Sequence, residues 1–270
     1  MVVLAKRLND LDGKTWLQYS FSIWRDIKKG PLDLNGDHPA SFPVELPARL
    51  IRMFTQKGET VIDPFMGSGS TLVASLLEGR NGIGVELSKG FYDFSRNRLD
   101  SLTLEKMSNP EISIDLFNDS VLNLSRIVER ESADLCVTSP PYWDILNMKR
   151  SADRKVPVNY SNSPEDLGNI NDYETFLNQL VSAFTEVDTV IKRGGHFAIV
   201  VMDIRKGGNF YPFHSDISRI MMSLNYQMKD VIIWDRQKEY NNMRPLGYPY
   251  SFIINKVHEY ILLFRKGKND

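Results

Sequence analysis

The stretch "VIDPFMGSGSTLVASLLEG", residues 61–79, joins a short apolar β-rich run, a turn with two glycines and a helical pattern. The same alternation continues along the chain, where runs rich in Val, Ile and Phe are separated by apolar residues at helical spacing. It predicts strands at residues 60–64, 82–87, 111–117, 133–139, 196–204, 229–235 and 258–264. It predicts helices at residues 45–58, 71–79, 88–102, 124–131, 172–192 and 215–225.

Strands that alternate with helices predict a mostly parallel sheet with helices on both faces, a Rossmann-like α/β fold of seven strands. The last two predicted strands have no helix between them, so we expect them to pair antiparallel. Gly194–Gly195 is expected to end the helix that begins near residue 172. Residues 60–270 form the predicted sheet domain, and the aromatic, loop-like residues 1–59 are expected to pack onto it.

The composition is that of an ordinary globular protein, with 270 residues, 42% hydrophobic and 25% charged, and a formal net charge of −1. No apolar run approaches the roughly 18 residues of a membrane span, and the N-terminus does not resemble a secretory signal. The single cysteine, Cys136, excludes an internal disulfide framework and a cysteine-rich zinc site. His196, His214 and His258 are scattered, so no metal site is expected, and a cytoplasmic location is the simplest expectation.

The turn with two glycines has the position of a ligand-binding turn. Gly67 and Gly69 let the backbone approach a ligand closely, and the following helix begins with free N–H groups. A dinucleotide-binding turn would need a third glycine where Leu72 stands, and a P-loop would need a lysine after Gly69. An ordinary tight turn would use the same two glycines. If the turn binds a ligand, that ligand is therefore smaller than a dinucleotide.

Polar residues lie at or just after the carboxyl ends of the first three predicted strands. Asp63 is placed to hold a ligand ammonium, and Glu86 is placed to accept hydrogen bonds from two ribose hydroxyls. Asn118 and Asp119 are placed to meet an adenine edge. Because parallel strands end at one edge of a sheet, these groups together suit a nucleoside with an amino-acid tail, S-adenosylmethionine. A surface acid at Glu86 is the alternative when that residue is taken alone.

Four stretches carry a resemblance to a known family: "HPASFPVELPARLI" (38–51), "VIDPFMGSGST" (61–71), "GVEL" (84–87) and "TSPPYW" (138–143). They resemble the amino-methylating DNA methyltransferases, which make N4-methylcytosine or N6-methyladenine. The resemblance extends over residues 38–264 and implies the fold of the methyltransferases that use S-adenosylmethionine, with residues 60–270 as the catalytic domain. The N-terminal segment is then expected to contribute to the cofactor pocket.

The resemblance also implies the site residues. Those expected to line the cofactor pocket are His38, Pro39, Phe42, Asp63, Pro64, Phe65, Gly67, Ser68, Gly69, Thr71, Glu86, Asn118, Asp119 and Ser120. Those expected to form the catalytic turn are Ser139, Pro140, Pro141 and Tyr142.

A turn of the type Ser-Pro-Pro-Tyr suits an exocyclic amino group, whose lone pair is delocalised into the base. Ser139 Oγ and the Pro140 carbonyl can accept both N–H groups, so that the lone pair points at a methyl group. The prolines fix the backbone and preorganise these acceptors, and Tyr142 is expected to stack on the base. Core packing is the alternative for the aromatic pair, more for Trp143 than for Tyr142. Cys136 lacks the Pro-Cys context of ring-carbon methylation and is expected in the core.

Serine as the first residue of the turn favours cytosine N4 as the acceptor, with adenine N6 as the alternative. No large recognition insert fits between Ser120 and Ser139, or after Phe264. Recognition is therefore expected from the loops 142–171 and 236–256, from the N-terminal residues, or from a separate subunit. Cations expected at DNA phosphates are Lys149, Arg150, Arg154, Lys155, Arg236, Lys238 and Arg244.

The expected partner is DNA, with a cognate restriction endonuclease, a recognition subunit or a homodimer as further expectations and no membrane partner. Other functions remain compatible with the sequence. They are RNA or protein-glutamine methylation, which usually has Asn or Asp before the Pro-Pro pair, and a non-catalytic DNA-binding subunit. A dehydrogenase is disfavoured by the missing third glycine.

Overall fold

The computed structural model describes residues 7–33, 42–106, 112–145, 163–239 and 245–267 of the chain, the side chains of residues 103–106 excepted. The strands in these ranges are β1 (Ile23–Trp24), β2 (Thr60–Asp63), β3 (Asn81–Val85), β4 (Ile114–Phe117), β5 (Ala133–Thr138), β6 (Ile191–Val201), β7 (Ile204–Lys206), β8 (Asn209–Tyr211), β9 (Tyr226–Asp235) and β10 (His258–Lys266). The helices are α1 (Gly13–Tyr19), α2 (Glu45–Phe54), α3 (Ser70–Glu78), α4 (Lys89–Lys106), α5 (Leu124–Ile127), α6 (Tyr173–Val190) and α7 (Phe213–Ser223).

Eight of these strands form one sheet, in the order β4–β3–β2–β5–β6–β10–β9–β1. β10 runs antiparallel to both of its neighbours, β6 and β9. The pairs β2–β3, β2–β5, β3–β4, β5–β6 and β1–β9 are parallel. The predicted α/β fold, with a mostly parallel sheet and an antiparallel last strand, is confirmed.

The structure adds strands that the periodicity did not predict. β1 comes from the N-terminal segment and extends the seven predicted strands to eight by pairing Ile23 with Ile233 and Trp24 with Trp234. The predicted strand 196–204 is divided, because β6 ends at Val201 and β7 begins a separate hairpin with β8. Two-residue and three-residue strands are too short to give a recognisable alternation.

The prediction that Gly194–Gly195 ends a helix was wrong. The helix α6 ends at Val190, and β6 starts at once with Ile191, whose backbone is extended. The two glycines lie inside β6, where Gly194 has a φ of 76° and the register against β5 shifts. A Cβ at Gly195 would lie 3.0 Å from the carbonyl oxygen of Asp134. The two glycines therefore form a bulge in a strand. In the sequence, a glycine pair at a bulge looks the same as one that ends a helix.

Alternate residues of the central strands enter two hydrophobic cores. Ile62 and Cys136 face the core that α5, α6 and α7 cover, where Phe176 and Phe213 are fully buried. Their neighbours along the strands face the core that α2, α3 and α4 cover. The sheet is thus buried on both faces and leaves its strand ends open for a site. In the described ranges, no helix has the length and apolar character that crossing a bilayer requires.

Candidate active site

Two neighbouring strand ends form the centre of the candidate site. β2 and β5 are parallel and adjacent, with Val61 opposite Leu135 and Ile62 opposite Cys136. From β2 the chain continues to β3 and β4 on one side, whereas β5 leads to β6 on the other. Ligands of open α/β sheets bind outside the carboxyl ends of the strands at such a reversal. The turn after Asp63 and the turn that begins at Ser139 both leave the sheet there.

Asp63 joins these two turns. Its carboxylate accepts hydrogen bonds from Thr71 Oγ1 at 2.7 Å, Thr138 Oγ1 at 2.6 Å and the Phe65 amide at 3.1 Å. The side chain is buried, and burial raises the pKa of Asp63 to about 6, although the three hydrogen bonds oppose that rise. With three acceptor positions in use, about one of the four of a carboxylate is left for a ligand ammonium.

The glycine turn requires both of its glycines in the left-handed region. Gly67 has a φ of 50° and Gly69 a φ of 77°. A Cβ at Gly69 would also lie 3.2 Å from Cβ and Oγ of Ser95 on α4. Ser95 Oγ donates to the Gly67 carbonyl at 2.6 Å, which fixes the turn against that helix. Gly69 immediately precedes α3, so the N–H groups that begin α3 face the site.

Glu86 lies under the glycine turn at the end of β3. Its Oε2 accepts the Gly67 amide at 2.9 Å and its Oε1 accepts the Ser88 amide at 2.7 Å. Burial raises the pKa of Glu86 to about 7 in spite of these two hydrogen bonds. Each oxygen keeps a second lone pair, so hydrogen bonding to two ribose hydroxyls stays a prediction that the geometry permits.

Three predicted residues directly follow β4, and the first of them, Asn118, contacts Glu86. Asn118 donates its amide to the Glu86 carbonyl at 2.8 Å, which leaves its Oδ1 as an acceptor. Asp119 Oδ1 accepts the Ser120 amide at 2.7 Å and Asn123 Nδ2 at 2.8 Å. Ser120 caps a short 3-10 turn through its hydroxyl. Contact of this group with an adenine ring stays a prediction.

The remaining predicted cofactor residues divide into two groups. Pro64 and Ser68 are buried in the turn, and Phe65 is partly buried against the core under α6. Phe42 is partly buried against the opposite core. His38 and Pro39 lie outside the described residues.

The catalytic turn predicted from Ser139-Pro140-Pro141-Tyr142 follows β5 directly. Ser139 Oγ donates to the Tyr142 hydroxyl at 3.2 Å, so the lone pairs of Ser139 remain for another donor. The Tyr142 hydroxyl in turn donates to Glu259 Oε2 at 3.1 Å and lies 3.3 Å from the Val200 carbonyl. Burial, and then Glu259, raises the pKa of Tyr142 well above its ordinary value, so the phenol stays neutral at physiological pH. Stacking of its ring on a base stays a prediction.

Glu259 was missed by the sequence analysis. It is buried near the start of β10, and its second oxygen pairs with the guanidinium of Arg236. A glutamate in the apolar run "HEYILLF" was the signal, because a buried acid in a strand needs partners. Its contact with Tyr142 bridges distant parts of the chain, so spacing alone does not reveal it.

Trp143 is a core residue, the alternative that the sequence left open. Its ring is buried and lies 5.0 Å from Tyr173 and 5.2 Å from Tyr211, between ring centres. Its φ of 53° is rare for a bulky residue and marks local strain directly after the catalytic turn. Lys206 Nζ lies 3.6 Å from the centre of the Trp143 ring.

Of the cations predicted at DNA phosphates, two are described. Arg236 forms ion pairs with Glu259 and Glu239 and lies against the ring of Trp234 at 4.6 Å, which gives it a structural role that was not predicted. Lys238 is exposed. Phosphate contact by either residue stays a prediction. Those outside the described residues are Lys149, Arg150, Arg154, Lys155 and Arg244.

Cys136 is fully buried in the sheet, as predicted, and burial raises the pKa of its thiol. His196 stacks on Phe54 at 4.8 Å between ring centres, and burial lowers its pKa to about 4. His214 Nδ1 lies 2.5 Å from Asp203 Oδ1, and its ring stacks on Tyr260. In the part of the chain that the structure describes, no three His, Cys, Asp or Glu side chains are gathered as a metal site would need.

Comparison with known proteins connects this geometry to a family. A family model described as "DNA methylase", for N6 and N4 methyltransferases, matches residues 6–97 and 133–270. The Type II methyltransferase M.BglI of Bacillus subtilis is 39% identical over 126 residues, 45% of this chain and 34% of that protein. The Type II methyltransferase M.MthZI of Methanothermobacter thermautotrophicus is 38% identical over 108 residues, 38% of this chain and 30% of that protein. The matched part thus spans about a third of each curated relative.

Among solved structures, a SAM-dependent methyltransferase from Methanosarcina mazei is 10% identical. It matches 82% of this chain and 98% of its own with a TM-score of 0.50. At that identity the similarity concerns the fold alone, and it agrees with the Rossmann-like sheet described above. The family model covers most of the chain and includes both the glycine turn and the Ser139 turn. The chain therefore belongs to the N6/N4 DNA methylase family.

Proposed function

We propose that the chain transfers the methyl group of S-adenosylmethionine to the exocyclic amino group of a base flipped out of DNA, with cytosine N4 favoured. The observation that supports this most is the hydrogen bond from Thr138 to Asp63 at 2.6 Å. It couples the residue before the catalytic turn to the acid that begins the glycine turn. A donor and an acceptor bound at these two turns would lie side by side, as direct transfer requires.

The residues at the glycine turn fit S-adenosylmethionine by their chemistry. Asp63 has an acceptor position for the ammonium, the backbone of Gly67 and Gly69 allows close approach, and Glu86 has acceptor positions for the ribose. When bound, S-adenosylmethionine supplies an electrophilic methyl carbon on a sulfonium. The ligand ammonium would favour the ionised form of Asp63, so binding should lower the pKa that burial raises there.

The residues at the Ser139 turn act on the base. Ser139 Oγ and the Pro140 carbonyl accept the two amino hydrogens and aim the nitrogen lone pair at the methyl carbon. The new N–C bond forms while the C–S bond breaks and its electron pair stays on sulfur. The cationic amine then loses a proton to water, so no strong base is required. Tyr142 contributes by accepting the hydrogen bond of the Ser139 hydroxyl, which leaves the serine lone pairs for the amine.

Cytosine N4 is favoured over adenine N6 because serine begins the turn, a preference carried by resemblance to the family. The finer assignment is tested by expressing the chain in a host without DNA methylation and sequencing the modified bases. We expect N4-methylcytosine in a short sequence context. If N6-methyladenine is found instead, the target base is adenine and the rest of the proposal stands. Ser139→Ala should abolish the modification, whereas Ser182→Ala, an exposed serine on α6, should leave it unchanged.

The chain purified from this host is used to test the alternative substrates. If the purified chain leaves DNA unmodified and methylates RNA or a protein, the proposed substrate is wrong. If calorimetry detects no binding of S-adenosylmethionine, the chain is a non-catalytic subunit. The names of the relatives above support a place in restriction and modification. Co-purification with an endonuclease or a recognition subunit, and sedimentation to detect a homodimer, test those partners.

A further inference from the structure

Four large apolar side chains in the loop that joins β9 to β10 are exposed. Tyr248, Tyr250, Phe252 and Ile254 are 77%, 93%, 96% and 60% exposed, at every second position. Single exposed hydrophobic residues are ordinary, but a contiguous run marks a surface that another molecule covers. We name residues 245–257 the aromatic loop.

The aromatic loop is a closed turn. The Gly247 carbonyl accepts hydrogen bonds from the amides of Tyr250 at 2.8 Å and Ser251 at 2.7 Å. Gly247 has a φ of 77°, and a Cβ there would overlap the Ser251 carbonyl oxygen, so the turn requires glycine. The backbone is therefore held by its own hydrogen bonds while the rings of Tyr250 and Phe252 project outwards.

The β7–β8 hairpin, residues 204–211, adjoins the aromatic loop through one ring. Phe210 is 44% exposed, and its ring centre lies 4.7 Å from Lys256 Nζ and 5.5 Å from Arg205 Cζ. Two segments that are distant in sequence thus form one surface of aromatic and basic side chains.

The charge of this surface suits an anionic partner. Residues 204–211 and 245–257 contain three cations and no Asp or Glu. Two of the cations neutralise buried acids next to this surface. Lys206 pairs with Asp144, and Lys256 Nζ lies 3.8 Å from Asp203 Oδ2. Arg205 is exposed to solvent.

The surface also borders the catalytic turn. Lys206 lies over the ring of Trp143, the residue after Tyr142, and pairs with Asp144 at 2.6 Å. Glu259, two residues beyond the aromatic loop, accepts the hydrogen bond of the Tyr142 hydroxyl. A base held at the Ser139 turn would therefore leave the rest of its duplex close to the aromatic loop and the hairpin.

We propose that the aromatic loop and the β7–β8 hairpin contact the DNA duplex beside the flipped base, an inference that rests on the proposed function. Tyr250 and Phe252 fill the gap that the flipped base leaves in the stack, and Arg205 contacts a phosphate. Extruding a base loses its stacking, and an inserted apolar side chain replaces part of it. Aromatic rings stack on any base, so this contact needs no particular flanking sequence.

The test uses the whole chain and oligonucleotides that carry the site found by modification mapping. One duplex has the target base paired, and the other has it opposite a mismatched base. Affinities are measured with S-adenosylhomocysteine present, so that no transfer occurs. For the double variant Tyr250→Ala, Phe252→Ala, we expect the Kd for the paired duplex to rise about ten-fold or more. For the mismatched duplex we expect a rise of at least the same factor, because the rings stabilise the flipped complex that both duplexes form, whereas the mismatch changes only the cost of extruding the base.

The matched control is Met222→Ala. Met222 is 48% exposed near the end of α7, at the opposite end of the strands, and its replacement should change neither affinity. The double variant should also keep the wild-type unfolding midpoint and the wild-type affinity for S-adenosylhomocysteine, because the two rings are exposed.

The outcomes separate the two proposals. Equal affinity of the double variant and the wild type for the paired duplex, or a loss that is confined to the paired duplex, overturns the role of the rings. A dimer that the double variant loses, with DNA affinity unchanged, assigns the surface to self-association and overturns it too. If the unchanged chain methylates no DNA, the proposed function fails and this inference fails with it.

Discussion

The hydroxyl of Tyr142 lies 3.1 Å from Oε2 of Glu259, a residue 117 positions later in the chain. Tyr142 also accepts the hydrogen bond of Ser139, and Glu259 also pairs with Arg236. The orientation of the serine that is proposed to hold the base therefore depends on a strand from the other end of the domain. Glu259 is a positioning residue in this account, because it acts through Tyr142.

Replacing Glu259 should reduce turnover without weakening cofactor binding. In Glu259→Ala we expect kcat to fall about ten-fold, the equivalent of one hydrogen bond of about 1.4 kcal/mol. The affinity for S-adenosylmethionine should stay within about two-fold, because other groups hold Asp63 and Glu86. Steady-state kinetics with mapped DNA, and calorimetry for the cofactor, measure the two effects. Glu259→Gln keeps an acceptor for Tyr142 and should recover part of kcat. Parallel losses of kcat and cofactor affinity would indicate a purely structural role.

Thr138→Val tests the coupling between the two turns. Valine has the shape of threonine but lacks the hydroxyl that donates to Asp63. Since that hydrogen bond lowers the pKa of Asp63, its loss should raise the pKa above about 6. The affinity for S-adenosylmethionine should fall by about five- to ten-fold near neutral pH. The midpoint pH, at which protonation of Asp63 weakens this binding, should move upwards. Calorimetric titrations between pH 5.5 and 8 measure both. Thr138→Ser keeps the hydroxyl and should behave as wild type, and an unshifted midpoint in Thr138→Val would contradict the coupling.

Glu86 should make the ligand-free protein less stable as the pH rises. Burial raises its pKa from the ordinary 4.5 to about 7, so between these values the folded chain holds a proton that the unfolded chain has released. The stabilisation is therefore present below pH 4.5 and is lost as the pH rises through about 7. Relative to Glu86→Gln, the wild-type free energy of unfolding should fall by on the order of 3 kcal/mol across this window. Urea unfolding of both proteins at pH 4.5 and 7.5 is the measurement, and parallel pH dependences would refute the shift.

Gly69→Ala and Gly58→Ala form a matched pair for the glycine turn. Both glycines have left-handed backbones, with φ of 77° and 79°, but only Gly69 has a close neighbour for a Cβ, at Ser95. Both variants should lose about 1–2 kcal/mol of unfolding free energy from the backbone conformation. Gly69→Ala should lose more and should also bind S-adenosylmethionine less tightly, whereas Gly58→Ala should keep its affinity. Equal cofactor affinities in the two variants would remove the glycine turn from the pocket.

The sequence predicted the parts of the fold that depend on local pattern. Asp63 ends a strand and Glu86 and Ser139 each follow one, and all three apolar runs are long enough to recognise. Parallel pairing brings those strand ends to one edge. Gly194–Gly195 misled the prediction, because a glycine pair after an amphipathic run has the same appearance at a helix end and in a strand bulge. β1 has two residues and is defined by its pairing with β9, which no local pattern reveals.

Residues of the candidate site that are close together in the sequence could be predicted. Contacts between elements that are distant in the sequence could not. Ser139 and Tyr142 are neighbours in the sequence, but Glu259 and Arg236 join them only through the sheet. Arg236 was predicted at a phosphate from its charge, and its ion pairs with Glu259 and Glu239 depend on the same tertiary arrangement. The hydrogen bond of Thr138 to Asp63 likewise needs the adjacency of β2 and β5.

The most direct test of the central claim is nucleoside mass spectrometry of DNA incubated with the purified chain and S-adenosylmethionine that carries an isotopically labelled methyl group. We expect label on the exocyclic nitrogen of one base, N4 of cytosine, and none when Ser139 is replaced by alanine. Label on a ring carbon, or DNA without label while cofactor binding is intact, would contradict it.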